Sequence, residues 1–219
     1  MGGQRCGQCA SARRLACNNA SICTDSQIKG QVNAGPVHAG ITVYAYDEQG
    51  QLLGKTEVDE KGQWRITAAG RADYKGAVLV VAVDNNANET NFLDEVTAAN
   101  KSMDTSLRAM AVQSEGSNVI SDGGVRVLTV NITPVTELAV RQAGVTEDKA
   151  PAGNVVTQSN TQVAKALGVE NLDITGDVTT TISSDFKAGD GLNSAEKYGL
   201  LLTKLSGLDK ANNGNIDAS

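Results

Sequence analysis

The residues best suited to chemistry are oxygen donors that follow the apolar run at 77–83. Asp84, Asn85, Asn86 and Asn88 come first, with Asp94 and Glu95 a few positions on. Calcium takes roughly six to eight hard oxygen ligands from carboxylates, amide carbonyls and backbone. Asp84, Asp94 and Glu95 are therefore the expected calcium ligands. The reading competes with plain turn formation, because Asp and Asn side chains also bond to nearby backbone. No Asp-x-Asp-x-Asp-Gly loop is present, so the EF-hand pattern is absent. A rival donor patch runs from Asp209 to Asp217 around Gly214.

A second group is cysteine. Cys6, Cys9, Cys17 and Cys23 all fall in the opening segment, which also carries Arg5, Arg13 and Arg14 and has no acid before Asp25. Cys6-x-x-Cys9 has zinc-ligand spacing, but a zinc ribbon adds a second close pair, and Cys17 and Cys23 are too far apart for one. The composition break marks residues 1–24 as an unstructured or non-native leader.

Catalytic constellations are sparse. His38 is the sole histidine, and it sits in a turn-like Gly-Pro-Val-His-Ala-Gly stretch, without a Gly-x-Ser-x-Gly elbow to supply a serine partner. There is no glycine-rich phosphate loop and no His-Glu-x-x-His helix. The expectation is a protein that is not an enzyme. A glycan-processing enzyme built on paired carboxylates is the remaining catalytic rival, since the chain has 25 acids. A carbohydrate-binding module is the nearer alternative, and it needs an exposed aromatic row. Tyr44, Tyr46 and Tyr74 are the only material for one, because the single tryptophan, Trp64, reads as a core anchor.

These residues must be held by some frame. The chain has 219 residues, 40 % hydrophobic and 20 % charged, which reads as globular. Its formal net charge of −6 argues against a phosphate-backbone partner, so no nucleic acid is expected. No apolar run approaches the ~20 residues of a transmembrane helix. No apolar signal-peptide core is found near residue 1, so any export signal is expected elsewhere in a longer parent chain, or export is directed from a distant C-terminus.

Residues 27–131 carry the signals of an antiparallel β fold. Ile41, Val43 and Ala45 alternate with Thr42, Tyr44 and Tyr46, the period of a strand with two unlike faces. Asp47-Glu48-Gln49-Gly50 and Asp59-Glu60-Lys61-Gly62 both suit a type I turn whose glycine is left-handed. The arm between them spans 51–58, and Trp64 and Ile66 point the next arm at the core. The run at 77–83 is apolar on both faces and predicts a central strand. With strands at 27–32, 107–113 and 125–132, about seven are expected, the number of an immunoglobulin-like sandwich.

At Thr133 the period changes to helical. Thr133 is placed to cap, Pro134 suits the first helical position, and Val135, Leu138 and Ala139 mark one face before Gly144. A second helix is expected over 159–167, with Val163 and Leu167 on one face. A third opens with the capping pair Asn193 and Glu196, carries Tyr198, Leu201, Leu202 and Leu205, and closes at Gly207. Residues 175–184 predict a short strand or an extended crossover. The fold class is thus mainly β: a sandwich over 25–132, then a helical region over 133–219 packed on or beside it.

Two stretches carry a resemblance. Gly40-Ile41-Thr42-Val43-Tyr44, Asp47 to Gly50, and Gly62-Gln63-Trp64-Arg65-Ile66 are similar to the Ig-like repeats of giant bacterial adhesins and other repeat-containing surface proteins. Phe92-Leu93-Asp94-Glu95, followed by Ile132-Thr133-Pro134-Val135-Thr136-Glu137-Leu138-Ala139, resembles a module of secreted bacterial lipoproteins and adhesins. In that module an Ig-like domain runs into a T-P-(L/V)-T-E-L-A helix. The resemblance implies an extracellular or cell-surface spacer or adhesive unit in a long array, sometimes calcium-binding. Its partners would be neighbouring modules of the same parent chain and a surface glycan or protein receptor.

Overall fold

A computed structural model of the chain describes residues 26–34, 37, 40–68, 74–85, 91–94, 99–103, 105–113, 126–178 and 191–211. The cysteine-bearing leader and His38 lie outside the described residues. Within them the strands come first and the helices after, and the architecture is mainly β.

Local chemistry fixes the first hairpins. Strands β1 (Ser26–Gln31), β2 (Ile41–Tyr46), β3 (Leu52–Glu57) and β4 (Gln63–Ala68) are linked partly by two turns of one design. In the first, Asp47 Oδ1 accepts from the Gln49 and Gln51 N–H groups at 2.9 and 2.8 Å. In the second, Asp59 Oδ1 accepts from Lys61 and Gln63 at the same distances, 2.9 and 2.8 Å. Gly50 and Gly62 stand at φ of 75° and 71°, where a Cβ is disfavoured. The type I turn with a left-handed glycine is what the sequence predicts.

Strands β5 (Ala77–Asp84), β8 (Leu107–Val112) and β9 (Arg126–Thr129) complete two sheets, in the orders β4-β1-β9 and β3-β2-β5-β8. Ile28, Trp64, Ile66 and Leu128 of the first sheet and Val43, Val78, Val80 and Ala109 of the second share one buried core. The continuous apolar run of β5 has a simple cause. Val78, Val80 and Ala82 enter that core, while Ala77, Leu79 and Val81 enter a second core beneath the helices. Two features depart from expectation. The β1–β9 pair is parallel rather than antiparallel. A small hairpin, β6 (Phe92–Asp94) with β7 (Ala99–Lys101), has strands of three residues each, too short to show a period.

Helices α1 (Pro134–Gln142), α2 (Gly153–Ala166) and α3 (Ser194–Ala211) form the outer layer. Thr133 caps α1 reciprocally with Thr136, at 3.1 and 2.9 Å. Asn193 and Glu196 cap α3 the same way, each bond 2.9 Å. The α1 face that packs inward is Val135, Ala139 and Val140, whereas Leu138 is turned to solvent, 43 % exposed. Helix α2 begins at Gly153, earlier than 159, on an N-cap Ala152 that makes no side-chain cap bond. Gly207 does not close α3, which continues to Ala211. An interior glycine costs only about 1 kcal/mol. Residues 175–178 form no strand, and the rest of the expected crossover lies outside the described residues.

The β8 edge shows why α1 sits where it does. An edge strand presents unpaired N–H and C=O groups. Here the Arg108 N–H donates to Glu137 at 3.0 Å, and the Arg108 carbonyl accepts from Thr136 Oγ1 at 2.9 Å. Asn160 of α2 donates to the Met110 carbonyl at 3.1 Å. The helices thus supply the bonds that a neighbouring strand would supply.

Tyr198 fastens α3 to this assembly. It is fully buried, donates to the Ile174 carbonyl at 2.6 Å, and shares a 2.7 Å bond with Thr133 Oγ1. Burial is the main cause that holds its phenol far above the ordinary tyrosine range; the Asp173 charge adds to this and the Thr133 bond opposes it. A raised folded-state pKa gives stability that is complete below the unfolded value, about 10, and is lost as pH rises beyond it. Stability should therefore fall by about 1.4 kcal/mol per pH unit above that point. Urea unfolding at about pH 9 and about pH 11 measures the slope, and Tyr198→Phe should flatten it. An unchanged slope in the variant would assign alkaline loss to other groups.

Candidate ligand groove

Of the expected calcium ligands Asp84, Asp94 and Glu95, the first two are described, and each has a side-chain partner. Asp94, on β6, is 5 % exposed, and its carboxylate is engaged by Lys101 Nζ and, at 3.3 Å, by Ser206 Oγ of α3. Asp84, at the end of β5, accepts from Ser102 Oγ at 3.4 Å. Asn85 donates instead to Thr42 Oγ1. Glu95, Asn86 and Asn88 lie outside the described residues, as do the Asp209 side chain and Asp217. Among the described residues, no group of three His, Cys, Asp or Glu side chains is placed to hold a metal ion. The Asp94 carboxylate, shared by a lysine ammonium and a hydroxyl, ties β6 to β7 and α3.

Of Tyr44, Tyr46 and Tyr74, two form a row and one does not. Tyr44 and Tyr46 alternate with core residues on β2, so both rings stand on the outer face of the sheet. Their centroids are 6.5 Å apart and the ring planes differ by 15°. The separation matches two residues of strand rise. Tyr74 is spent elsewhere: its hydroxyl donates to the Ala77 carbonyl at 2.5 Å and accepts from the Glu48 N–H at 3.3 Å, with the ring against the first core.

The helices lie toward β8, and they leave the β2 side of the outer face as the floor of a groove of about 510 Å³. Tyr44, Tyr46 and Val83 line it from the sheet, with Asp84 and Ser106 at the strand ends and Asp148 from the loop between α1 and α2. That loop is fixed by a 3.0 Å bond from the Ala150 N–H to the Asp47 carbonyl, which ties it to the β2–β3 turn. Partial burial, then the charge and hydrogen bond of Asp148, raise the Tyr46 phenol above its ordinary range. On the β3 side, Lys55 Nζ lies 5.9 Å from the Tyr44 ring centroid, a cation–π distance. Val83 is marked in the sequence only as part of the apolar run 77–83, and no pattern there singles out Ser106 or Asp148.

The arrangement offers aromatic surface, an apolar floor and oxygen acceptors, the groups that a site for a polar, uncharged small molecule requires. Comparison of the chain with protein-family models finds no match, and comparison with curated proteins finds no significant similarity.

Proposed function

We propose that the chain is a non-catalytic structural and adhesive module of a larger bacterial surface or secreted protein, working outside the cell, with a load-bearing Ig-like sandwich. The likeness to the immunoglobulin fold is one of architecture, two packed sheets of seven main strands. The strand order is the chain's own, since β1 pairs with β4 and β9 rather than with β2. The adhesin-like motifs of the sequence support the reading, and one observation carries it.

That observation is the parallel pairing of the first and last strands of the sandwich. The register runs from Ser26↔Arg126 to Lys29↔Thr129. It continues through Val130 N–H to the Lys29 carbonyl at 2.8 Å, Ile132 N–H to the Gln31 carbonyl at 2.9 Å, and Asn33 N–H to the Ile132 carbonyl at 2.8 Å. Asn131 Oδ1 adds a 2.7 Å bond from the Gln31 N–H. The chains approach so closely that a Cβ at Gly30 would fall 1.9 Å from the Val130 carbonyl oxygen. A pull entering before β1 and leaving after β9 acts in opposite directions along two parallel strands. Every bond between them is then loaded together, in shear. Antiparallel neighbours would be pulled from one end and part bond by bond.

Single-molecule pulling on the full chain, with Cys6, Cys9, Cys17 and Cys23 replaced by serine, tests this. Attachment at the N-terminus and Pro134 loads the pair in shear. Attachment at the N-terminus and Val127 peels the same pair from one end. A several-fold higher peak force in the first geometry is expected; equal forces would remove the load-bearing reading.

A further inference from the structure

We propose that the Tyr44–Tyr46 groove is a binding site for a neutral hexopyranose sugar. This goes beyond the spacer reading and stands on a different part of the molecule, so either can fail while the other holds. The volume of about 510 Å³ lies inside the ordinary range for small-ligand sites, roughly 300–1,000 Å³. A pyranose presents one face of C–H groups and a rim of hydroxyls. The C–H face suits the tyrosine rings, which combine a large apolar surface with a polar tip. The 6.5 Å spacing of the rings gives two stacking stations along one strand.

The rim of the groove is rich in acceptors. The Asp84 and Asp148 carboxylates accept from sugar hydroxyls, and the Ser106 hydroxyl both donates and accepts. Charge narrows the class further. The two carboxylates, on a chain of net charge −6, repel acidic sugars. Lys55, already beside the Tyr44 ring, disfavours a cationic ligand at that station. An uncharged polyol satisfies both constraints. Tyr74, held by Ala77 and Glu48, takes no part.

The test is saturation-transfer NMR on the full chain with methyl glucopyranoside, methyl galactopyranoside, methyl mannopyranoside and their disaccharides. Sialic acid and glucosamine serve as charged counterparts. Transfer from the protein to the C–H face of at least one neutral probe is expected, with weak or absent transfer to the charged ones. Tyr44→Ala and Tyr46→Ala should each weaken binding about tenfold, whereas Tyr44→Phe, which keeps the ring, should retain most of it. Asp148→Asn, in a loop between helices, gives a readout that does not depend on altering the sheet, and should also weaken binding. No transfer from any neutral probe, preference for a charged sugar, or full affinity in the alanine variants would each overturn the assignment.

Discussion

Truncation of Trp64 to alanine is expected to destabilise the chain by about 3–5 kcal/mol, the range for removing a large buried aromatic. The side chain is 4 % exposed and lies in the core shared by both sheets. Its six-membered ring reaches to 3.0 Å from where a Cβ on Gly30 would stand, so it fills the space beside the β1–β9 contact. Few other side chains can close that space, since aromatic residues are only 3 % of the sequence. Its indole N–H has no hydrogen-bond partner among the described residues. Trp64→Phe therefore loses volume but also sheds an unsatisfied donor, and should cost only about 1–2 kcal/mol. Denaturant unfolding followed by far-UV circular dichroism measures both. A cost below about 1 kcal/mol for the alanine variant would show that Trp64 is not the anchor.

The features legible in the sequence are those set by a few adjacent residues. The two Asp-x-x-Gly turns need only an aspartate oxygen and a glycine free to take positive φ, and both occur within four positions. The caps at Thr133 and Asn193 are similar three-residue devices. The double-sided burial of β5 is legible too, because a strand covered on both faces leaves an unbroken apolar run.

What was not legible depends on partners far along the chain. Parallel and antiparallel neighbours impose the same alternation on β1, so its pairing with β9, about a hundred residues on, leaves no local mark. Asp94 meets Lys101 through the hairpin and Ser206 through α3, partners that no local pattern announces. The alternation of β2 sets Tyr44 and Tyr46 on one face in the sequence, whereas the place of Tyr74, before β5 and against the first core, has no such mark. The early start of α2 is hidden because Ala152 offers no capping oxygen. The groove itself joins β2, β5, the approach to β8 and the α1–α2 loop, and no sequence window contains all four.

The T-P-V-T-E-L-A stretch belongs to both classes, and Glu137 decides its energetics. As a local signal it starts a helix. Its second threonine and its glutamate also close the β8 edge, which only the structure reveals. Glu137 is 7 % exposed, and its carboxylate accepts from Arg108 N–H, Nε and Nη2 at 3.0, 3.0 and 2.7 Å and from Arg141 Nε at 3.0 Å. Arg108 Nη1 reaches the Val145 carbonyl at 3.0 Å, so one guanidinium spans the strand, the helix and the turn after it. Hydrogen bonding to Glu137 holds Arg108 above its ordinary pKa range, with burial opposing. Glu137→Ala strips the charge partner from a guanidinium that is only 20 % exposed and leaves an edge N–H unbonded. A loss of about 3–5 kcal/mol is expected, the cost of leaving one member of a buried pair alone. Replacing both members, Arg108→Leu with Glu137→Leu, removes the stranded charge and should recover most of that loss. What remains is the Arg108 backbone N–H, the Val145 carbonyl and the more exposed Arg141 without these partners, together worth about 1–3 kcal/mol. Urea unfolding of Arg108→Leu, Glu137→Leu and the double variant completes the cycle, with Glu137→Ala measured beside it. If Glu137→Ala cost less than about 1 kcal/mol, the contact would rank with exposed ion pairs, and the edge would be held by Thr136 and Asn160 alone.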